Sequence, residues 1–176
     1  MAPQVLKSET VFRGRAFAVR LDELEYAPGR STRIEVVEHS GAVTMVPLDD
    51  HGQLWFIRQY RHPAGQELLE LPAGTLEPGE DPAAGAAREL QEEIGMRAGR
   101  LDALASFWLA PGYSTERMHV YLAGALEPAP LPPDEDEVIS VVKLPVAAAL
   151  AAAARGEIQD ATSLAALFAA GRRLGW

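Results

Sequence analysis

The sequence predicts an α/β protein in which helices pack on a mixed sheet. Three observations support this fold class. Short apolar segments separated by turn residues predict strands in the first half of the chain. A segment with apolar residues at helical spacing follows them, and after further strands two more helices close the chain. At 176 residues, the chain is long enough for one domain with a buried core, together with a small additional segment.

The first 40 residues are predicted to contain a β-hairpin. Residues 17–26 alternate partly between apolar and polar side chains, and Pro28-Gly29 marks a turn before a second strand at residues 33–39. An isolated two-stranded hairpin is only marginally stable in water. We therefore expect this segment to pack against another part of a larger assembly.

The next segment is predicted to form a second hairpin and a loop. Residues 42–48 are mostly apolar, as is typical of a buried strand. The sequence of residues 49–52 favours a turn, so we expect residues 53–60 to be the hairpin partner of that strand. A short strand at residues 68–71 precedes a loop at residues 72–79, which is rich in glycine and proline.

The clearest helix signals lie between Asp81 and Gly95. Asp81 is a favourable N-cap, Pro82 suits the first helical position, and Gly95 favours termination. The apolar residues of this segment fall on one face at helical spacing: Ala83, Ala86, Ala87, Leu90 and Ile94.

The C-terminal part is predicted to contain three strands and then two helices. We expect strands at residues 103–109, 118–126 and 138–144. Residues 127–133 contain four prolines and predict a loop. The predicted helices span residues 146–155 and 161–174, the second capped by Asp160.

Composition and charge exclude several classes of protein. The chain has no cysteine, which excludes disulfides and thiolate chemistry, and no apolar run approaches the roughly 18 residues of a membrane span. The first residues lack the apolar core of a signal peptide, so the cytoplasm is the expected compartment. A net charge of −9 argues against binding to nucleic-acid backbone.

Three glutamates crowd the end of the predicted helix. Glu89 and Glu93 lie one turn apart on the same side, and Glu92 lies on the neighbouring strip. Arg88 can pair with Glu92 at i+4, whereas Glu89 and Glu93 have no other cationic partner nearby in sequence. A solvated acidic face is one interpretation. The other is a site for a hard divalent cation such as Mg²⁺ or Mn²⁺, because the donors are all oxygens.

The residues before the glutamates favour the metal site. Residues 74–96 read GTLEPGEDPAAGAARELQEEIGM. This spacing of glycine, glutamate and an Arg-Glu-Leu-Gln-Glu-Glu-Ile-Gly run closely resembles the Nudix box, with no departure at any fixed position. The resemblance implies an α/β/α sandwich with a mixed sheet, here with an N-terminal β-hairpin segment in addition. It also implies hydrolysis of a diphosphate joined to another moiety.

The resemblance also implies roles for individual residues. Glu89 and Glu93 would be metal ligands, and Glu92 would be a further ligand or hold the attacking water. The Ala73 carbonyl would be a backbone ligand, and Arg88 would orient a carboxylate. Two further residues have implied roles in the loop: Gly74, which would permit a sharp turn, and Glu80, which would ligate the metal or stiffen the loop.

Other segments are similar to ADP-ribose pyrophosphatases. They include residues 59–63 and 70–74, and Pro111, which lies 15 residues after Met96 and is followed by glycine and then Glu116. The acidic run at residues 134–137 also matches that subfamily, although a lone run of this kind is more often a solvated loop. The similarity extends over nearly the whole chain.

The subfamily resemblance supplies the remaining site residues. Glu135 would be the general base and Glu137 a metal ligand, with the reverse assignment also open. Arg61, and after it Arg58, would bind the phosphates or ribose of the substrate. Two more substrate contacts are implied: Glu116 to the terminal ribose and Glu35 to the adenine held by a partner subunit.

The sequence thus predicts a Mg²⁺-dependent homodimeric ADP-ribose pyrophosphatase, with Mn²⁺ as a possible alternative metal. Residues 1–40 would form a β-rich dimerisation segment and residues 41–176 the Nudix hydrolase domain. The substrate would be a small nucleoside diphosphate derivative, without nucleic-acid or membrane partners. Alternatives are a related pyrophosphatase acting on FAD, NADH or a nucleotide sugar, and a non-catalytic nucleotide-binding module.

Overall fold

The computed structural model describes residues 2–132 and 138–176 and divides the chain into two compact units. The first unit comprises Met1–Gly41 and Trp108–Arg117, and the second comprises Ala42–Phe107 and Met118–Trp176. The second unit therefore contains the predicted helix with its glutamates and both C-terminal helices.

The first unit contains an antiparallel sheet of three strands in the order β1-β2-β3. These are β1 (Gln4–Arg13), β2 (Ala18–Ala27) and β3 (Arg30–Glu38). The predicted hairpin is confirmed as β2 and β3, joined at Gly29, whose φ of 77° suits glycine. Strand β1 was not predicted. All ten of its residues are exposed, so its sequence lacks the alternation that a half-buried strand requires.

The second unit begins with four strands and a helix. Strands β4 (Ala42–Pro47) and β5 (Gln53–Arg61) are followed by a 3₁₀ turn at His62–Ala64. The next three elements are β6 (Gln66–Glu70), β7 (Ala73–Thr75) and α1 (Pro82–Glu93).

Three strands and two helices complete the fold. They are β8 (Met96–Trp108), β9 (Arg117–Pro128), β10 (Ile139–Pro145), α2 (Val146–Ala154) and α3 (Ala161–Leu174). The predicted C-terminal helices and the Asp160 cap are confirmed, because the Asp160 side chain accepts a hydrogen bond from the Ser163 N–H. In the part of the chain that the structure describes, no helix is long and apolar enough to span a membrane.

Two sheets form the second unit. One has the order β7-β4-β9-β8, in which β4 pairs parallel with β9 and antiparallel with β7, so this sheet is mixed. The other is antiparallel with the order β10-β5-β6. The expected hairpin between β4 and β5 is wrong, since only an isolated bridge joins Leu48 and Leu54. Strand β4 is bonded on both edges, to β7 and β9, and has no edge left for β5.

Helices cover both faces of β4. Val43 and Met45 pack in a core cluster with Leu90 of α1. Val46, on the opposite face, belongs to a second cluster with Ala166 of α3. Burial on both faces explains why β4 is a nearly continuous apolar run. The expected α/β fold, with helical layers on both sides of a mixed sheet, is confirmed.

Candidate active site

Helix α1 places its glutamates at the edge of the buried core. The Asp81 carboxylate accepts hydrogen bonds from the N–H groups of Ala83 and Ala84, as the sequence predicts. The packing of Leu90 in the core fixes the rotation of the helix about its axis. Glu89 and Glu93 consequently retain only 8% and 6% of their accessible surface.

Arg88 connects three of the acidic side chains. Its Nη1 donates to Glu89 Oε1 and to Glu92 Oε2, both at 2.8 Å. Its Nε and Nη2 donate to the two oxygens of Glu80 at 3.1 Å. The expected pair with Glu92 is present, but the expectation that Glu89 lacks a cation is wrong, because the guanidinium also reaches the adjacent residue. These carboxylates, Glu80 foremost, raise the pKa of Arg88 further above its usual range.

Glu80 ties the loop before α1 to Arg88. In addition to the bonds from Arg88, it accepts a hydrogen bond from the Glu77 N–H at 2.9 Å. The bond from Arg88 is the main reason that the pKa of Glu80 lies below its usual value, although partial burial opposes the shift. These contacts correspond to a loop-stiffening role for Glu80.

Gly85 makes space for this arrangement and was not identified from the sequence. A Cβ at residue 85 would lie 2.6 Å from Leu76 Cδ2 and 3.1 Å from Glu80 Oε2. Glycine inside a helix costs about 1 kcal/mol relative to alanine. A glycine in the middle of the predicted helix, where it is unfavourable, is therefore the sequence signal that could have identified Gly85.

The start of the box is joined to α1 through β7. The Ala73 N–H donates to Glu93 Oε2 at 2.8 Å. A Cβ on Gly74 would collide with the Glu89 carboxylate. Gly74 is not among the residues with positive φ, so the expected sharp turn is not what requires glycine. The requirement is space for Glu89 against the backbone of the loop.

The acidic cluster is chemically suited to a divalent cation. Within residues 2–132 and 138–176, no three acidic or histidine side chains converge as metal ligands around one point. Glu80, Glu89 and Glu92 instead share the single guanidinium of Arg88, so negative charge is in excess. Gly74 lets the Glu89 carboxylate lie against the backbone of the loop, and the carboxylate oxygens gathered there are the donors that a hard ion prefers.

Strand β5 separates the two candidate arginines. Arg61 and Ile57 lie on the same face of the strand, and Ile57 packs in the cluster of α1. Arg58 is exposed and shares its face with Phe56, which packs in the cluster of α3. The sequence alone could not distinguish these positions, because the end of β5 was unknown.

The other predicted site residues lie elsewhere in the chain. Glu35 is exposed on β3, opposite Leu21 of β2. Glu116 is half-buried, and its backbone carbonyl accepts a hydrogen bond from the Leu109 N–H at 3.1 Å. Both belong to the first unit, whereas the box belongs to the second. Glu135 and Glu137 lie outside the described residues.

Comparison with known proteins assigns the chain to a protein family. The family model described as the NUDIX domain matches residues 38–167. The chain belongs to the Nudix family. Members of the Nudix hydrolases in general depend on divalent metal ions. The expected family is thus confirmed, and the expected dependence on a divalent metal ion agrees with this family.

Several known proteins resemble nearly the whole chain. An ADP-ribose pyrophosphatase of Mycobacterium tuberculosis is 40% identical over 94% of this chain and 82% of its own. A methanol dehydrogenase activator of Bacillus methanolicus is 34% identical over 93% of this chain and 90% of its own. A crystal structure of an ADP compounds hydrolase has a TM-score of 0.88 and 32% identity, and covers 99% of this chain and 95% of its own.

Proposed function

We propose that this Nudix protein is an ADP-ribose pyrophosphatase that hydrolyses ADP-ribose to AMP and ribose 5-phosphate. The observation that carries the proposal is the complete box, in which Glu80, Glu89 and Glu92 gather around Arg88, in a chain similar to a named ADP-ribose pyrophosphatase. In this reaction water forms a bond to one phosphorus and the bridging P–O bond breaks. Each product then carries one phosphate. We place the activity in the cytoplasm.

We propose that Glu89, Glu93, Glu92 and the Ala73 carbonyl hold Mg²⁺, or Mn²⁺ in its place. When bound, such an ion neutralises phosphate oxygens and lowers the pKa of coordinated water. Arg88 keeps the carboxylates in place before substrate arrives, and the Ala73 N–H orients Glu93.

The proton of the attacking water requires a base. We propose Glu135 for this role and Glu137 as a further metal ligand, with the reverse assignment as the alternative. Both residues precede β10, which pairs with β5, the strand that carries Arg61. Exchanging each residue separately for glutamine would distinguish them, because loss of the base should remove the rise of kcat with pH that deprotonation of the base gives the wild type.

We propose that Arg61 binds the phosphates of the substrate. Its position on the α1 side of β5 supports it over Arg58. Glu116 is proposed to bind the terminal ribose, and Glu35 to reach the adenine held by the partner subunit. These assignments predict that Arg61→Ala raises KM more than Arg58→Ala does.

We propose a homodimer assembled through residues 1–40, with residues 41–176 as the hydrolase domain. The sheet of the first unit supports this proposal, because β1 is exposed along its whole length. Four apolar side chains of β1 are about half exposed or more: Val5, Leu6, Val11 and Phe12. Apolar side chains clustered on an exposed sheet favour association.

A substrate panel tests the proposed activity. ADP-ribose, FAD, NADH and a nucleotide sugar should be compared by kcat/KM with Mg²⁺ and with Mn²⁺, and ADP-ribose should be preferred. A preference for dinucleoside polyphosphates or nucleoside triphosphates would contradict the proposal. The similarity to an ADP compounds hydrolase favours a second candidate, a broader specificity for ADP compounds. Comparable kcat/KM values for ADP-ribose and NADH would support that candidate.

A further inference from the structure

Glu70 is a buried carboxylate that the proposed chemistry does not use. It is the last residue of β6 and lies three residues before Ala73. Its side chain is 8% exposed, and its Oε2 accepts a hydrogen bond from Arg61 Nε at 2.9 Å. Glu70 therefore joins the proposed phosphate-binding arginine to the segment that leads into the box.

The hydrogen bond between Arg61 and Glu70 uses only one of the three guanidinium nitrogens of Arg61. Neither terminal nitrogen donates a hydrogen bond to any residue that the structure describes, and the side chain is 39% exposed. A guanidinium held at Nε keeps both terminal NH₂ groups available, which suits recognition of phosphate oxygens. The bond to Glu70 thus orients Arg61 and leaves its phosphate-binding groups available.

The backbone directly after Glu70 is held in place by α3. The next residue, Leu71, donates its N–H to Ser163 Oγ at 2.7 Å, and the Ser163 N–H donates to Asp160 Oδ2 at 2.7 Å. Leu71 and Ser163 are both buried. The end of β6 is therefore anchored on the first turn of α3.

The electrostatic environment of Glu70 is unfavourable for a purely structural residue. Burial and the nearby Asp160 raise the pKa of Glu70, while Arg61 acts in the opposite direction. Buried ion pairs often stabilise a fold no better than apolar residues of similar size. A carboxylate at this position is better explained by its effect on Arg61 than by stability.

We propose that Glu70 is a positioning residue, which orients Arg61 for binding the diphosphate of the substrate. This inference rests on the proposed function of Arg61. If it is correct, removing the negative charge of Glu70 should weaken substrate binding, and the loss should require Arg61.

A double-mutant cycle tests the proposal. Glu70→Gln, Arg61→Ala and the double variant should be compared with the wild type in ADP-ribose hydrolysis with Mg²⁺, and in calorimetric binding of ADP-ribose with EDTA. Glu70→Gln is expected to raise KM and Kd about tenfold, the size of a lost charge-assisted hydrogen bond, with kcat within about twofold. The double variant should equal Arg61→Ala alone.

Two further variants separate positioning from folding. Glu70→Asp keeps the charge and should restore part of the lost binding. Glu127→Gln removes an exposed carboxylate that pairs with Arg97 at 2.6 Å in the same unit, and it should leave KM unchanged.

Three results would overturn the positioning role. The first is an unchanged KM in Glu70→Gln, and the second is an equal loss with and without Arg61. The third is a wild-type KM in Arg61→Ala. If instead the wild type neither binds nor hydrolyses ADP-ribose, the proposed function is wrong. The same double-mutant cycle is then measured with the diphosphate substrate that the wild type does hydrolyse, and its result tests the role of Glu70 separately.

Discussion

Arg88 contacts Glu80, Glu89 and Glu92 with one guanidinium. Like charges on one helical turn repel each other, and this cation offsets part of that cost. The excess negative charge that remains is the basis on which we propose that the cluster binds a further cation. In this proposal, the same three contacts hold the carboxylates together before a metal ion binds.

Gly74 is required for space beside Glu89. We predict that Gly74→Ala destabilises the protein by about 1–3 kcal/mol, a typical cost of overpacking, because the new methyl group would displace the Glu89 carboxylate. Turnover should fall with it. Thermal unfolding measures the loss of stability, and kcat measures the loss of turnover. Gly112→Ala is the stability control, since nothing lies within 4 Å of a Cβ there.

Glu93 should be essential for turnover and dispensable for folding. In Glu93→Gln the amide oxygen can still accept the hydrogen bond from the Ala73 N–H, but the charge needed for a metal ligand is lost. We predict that kcat falls by about 100-fold or more while Tm changes little. Turnover close to that of the wild type would show that the metal assignment is wrong.

The raised pKa of Glu70 gives stability a defined pH dependence. Because its folded pKa lies above 4.5, Glu70 contributes stability that is fully present below pH 4.5 and is lost as pH rises through the folded pKa. Glu70→Gln lacks this contribution. Denaturant unfolding should therefore show that the stability of the wild type relative to Glu70→Gln is greater near pH 4.5 than at pH 7. The opposite trend would contradict the pKa shift.

At the scale of the element, helix α1 was predictable because its signals are local. Asp81 marks the start of the helix through its side-chain cap, Pro82 through its fixed φ, and Gly95 marks the end through its positive φ. The pairing of β4 with β9 was not predictable in the same way, since it depends on residues 76 positions apart, such as Ala42 and Met118. A turn between two apolar runs is equally compatible with a hairpin and with passage from one sheet to another.

The cap of α1 should have a measurable effect on stability. We predict that Asp81→Ala lowers the free energy of unfolding by about 1 kcal/mol, because the N–H groups of Ala83 and Ala84 lose their acceptor. Asp50→Ala is the matched control, since Asp50 is an exposed aspartate in a turn. Equal stability of the two variants would rule out a capping contribution.

At the scale of the whole molecule, the box was recognisable from sequence because its residues lie within 23 positions. Its internal contacts were less predictable. Arg61 could be placed on the α1 side of β5 only when the pairing of that strand was known. The reason for Gly74 also required the position of Glu89 in space. Residue identity thus predicts the chemistry of the site, while distances between elements decide which atoms meet.

The exposed apolar side chains of β1 predict how the molecule assembles. Val11 is 50% exposed on a strand whose residues are all exposed. If this surface forms a dimer interface, Val11→Glu should place a charge in it and convert a particle of twice 19.0 kDa to one of 19.0 kDa in light scattering. Phe168→Glu introduces the same charge at a 69% exposed apolar residue of α3 and should leave the dimer intact. A dimeric Val11→Glu variant, or dissociation by Phe168→Glu instead, would place the interface elsewhere.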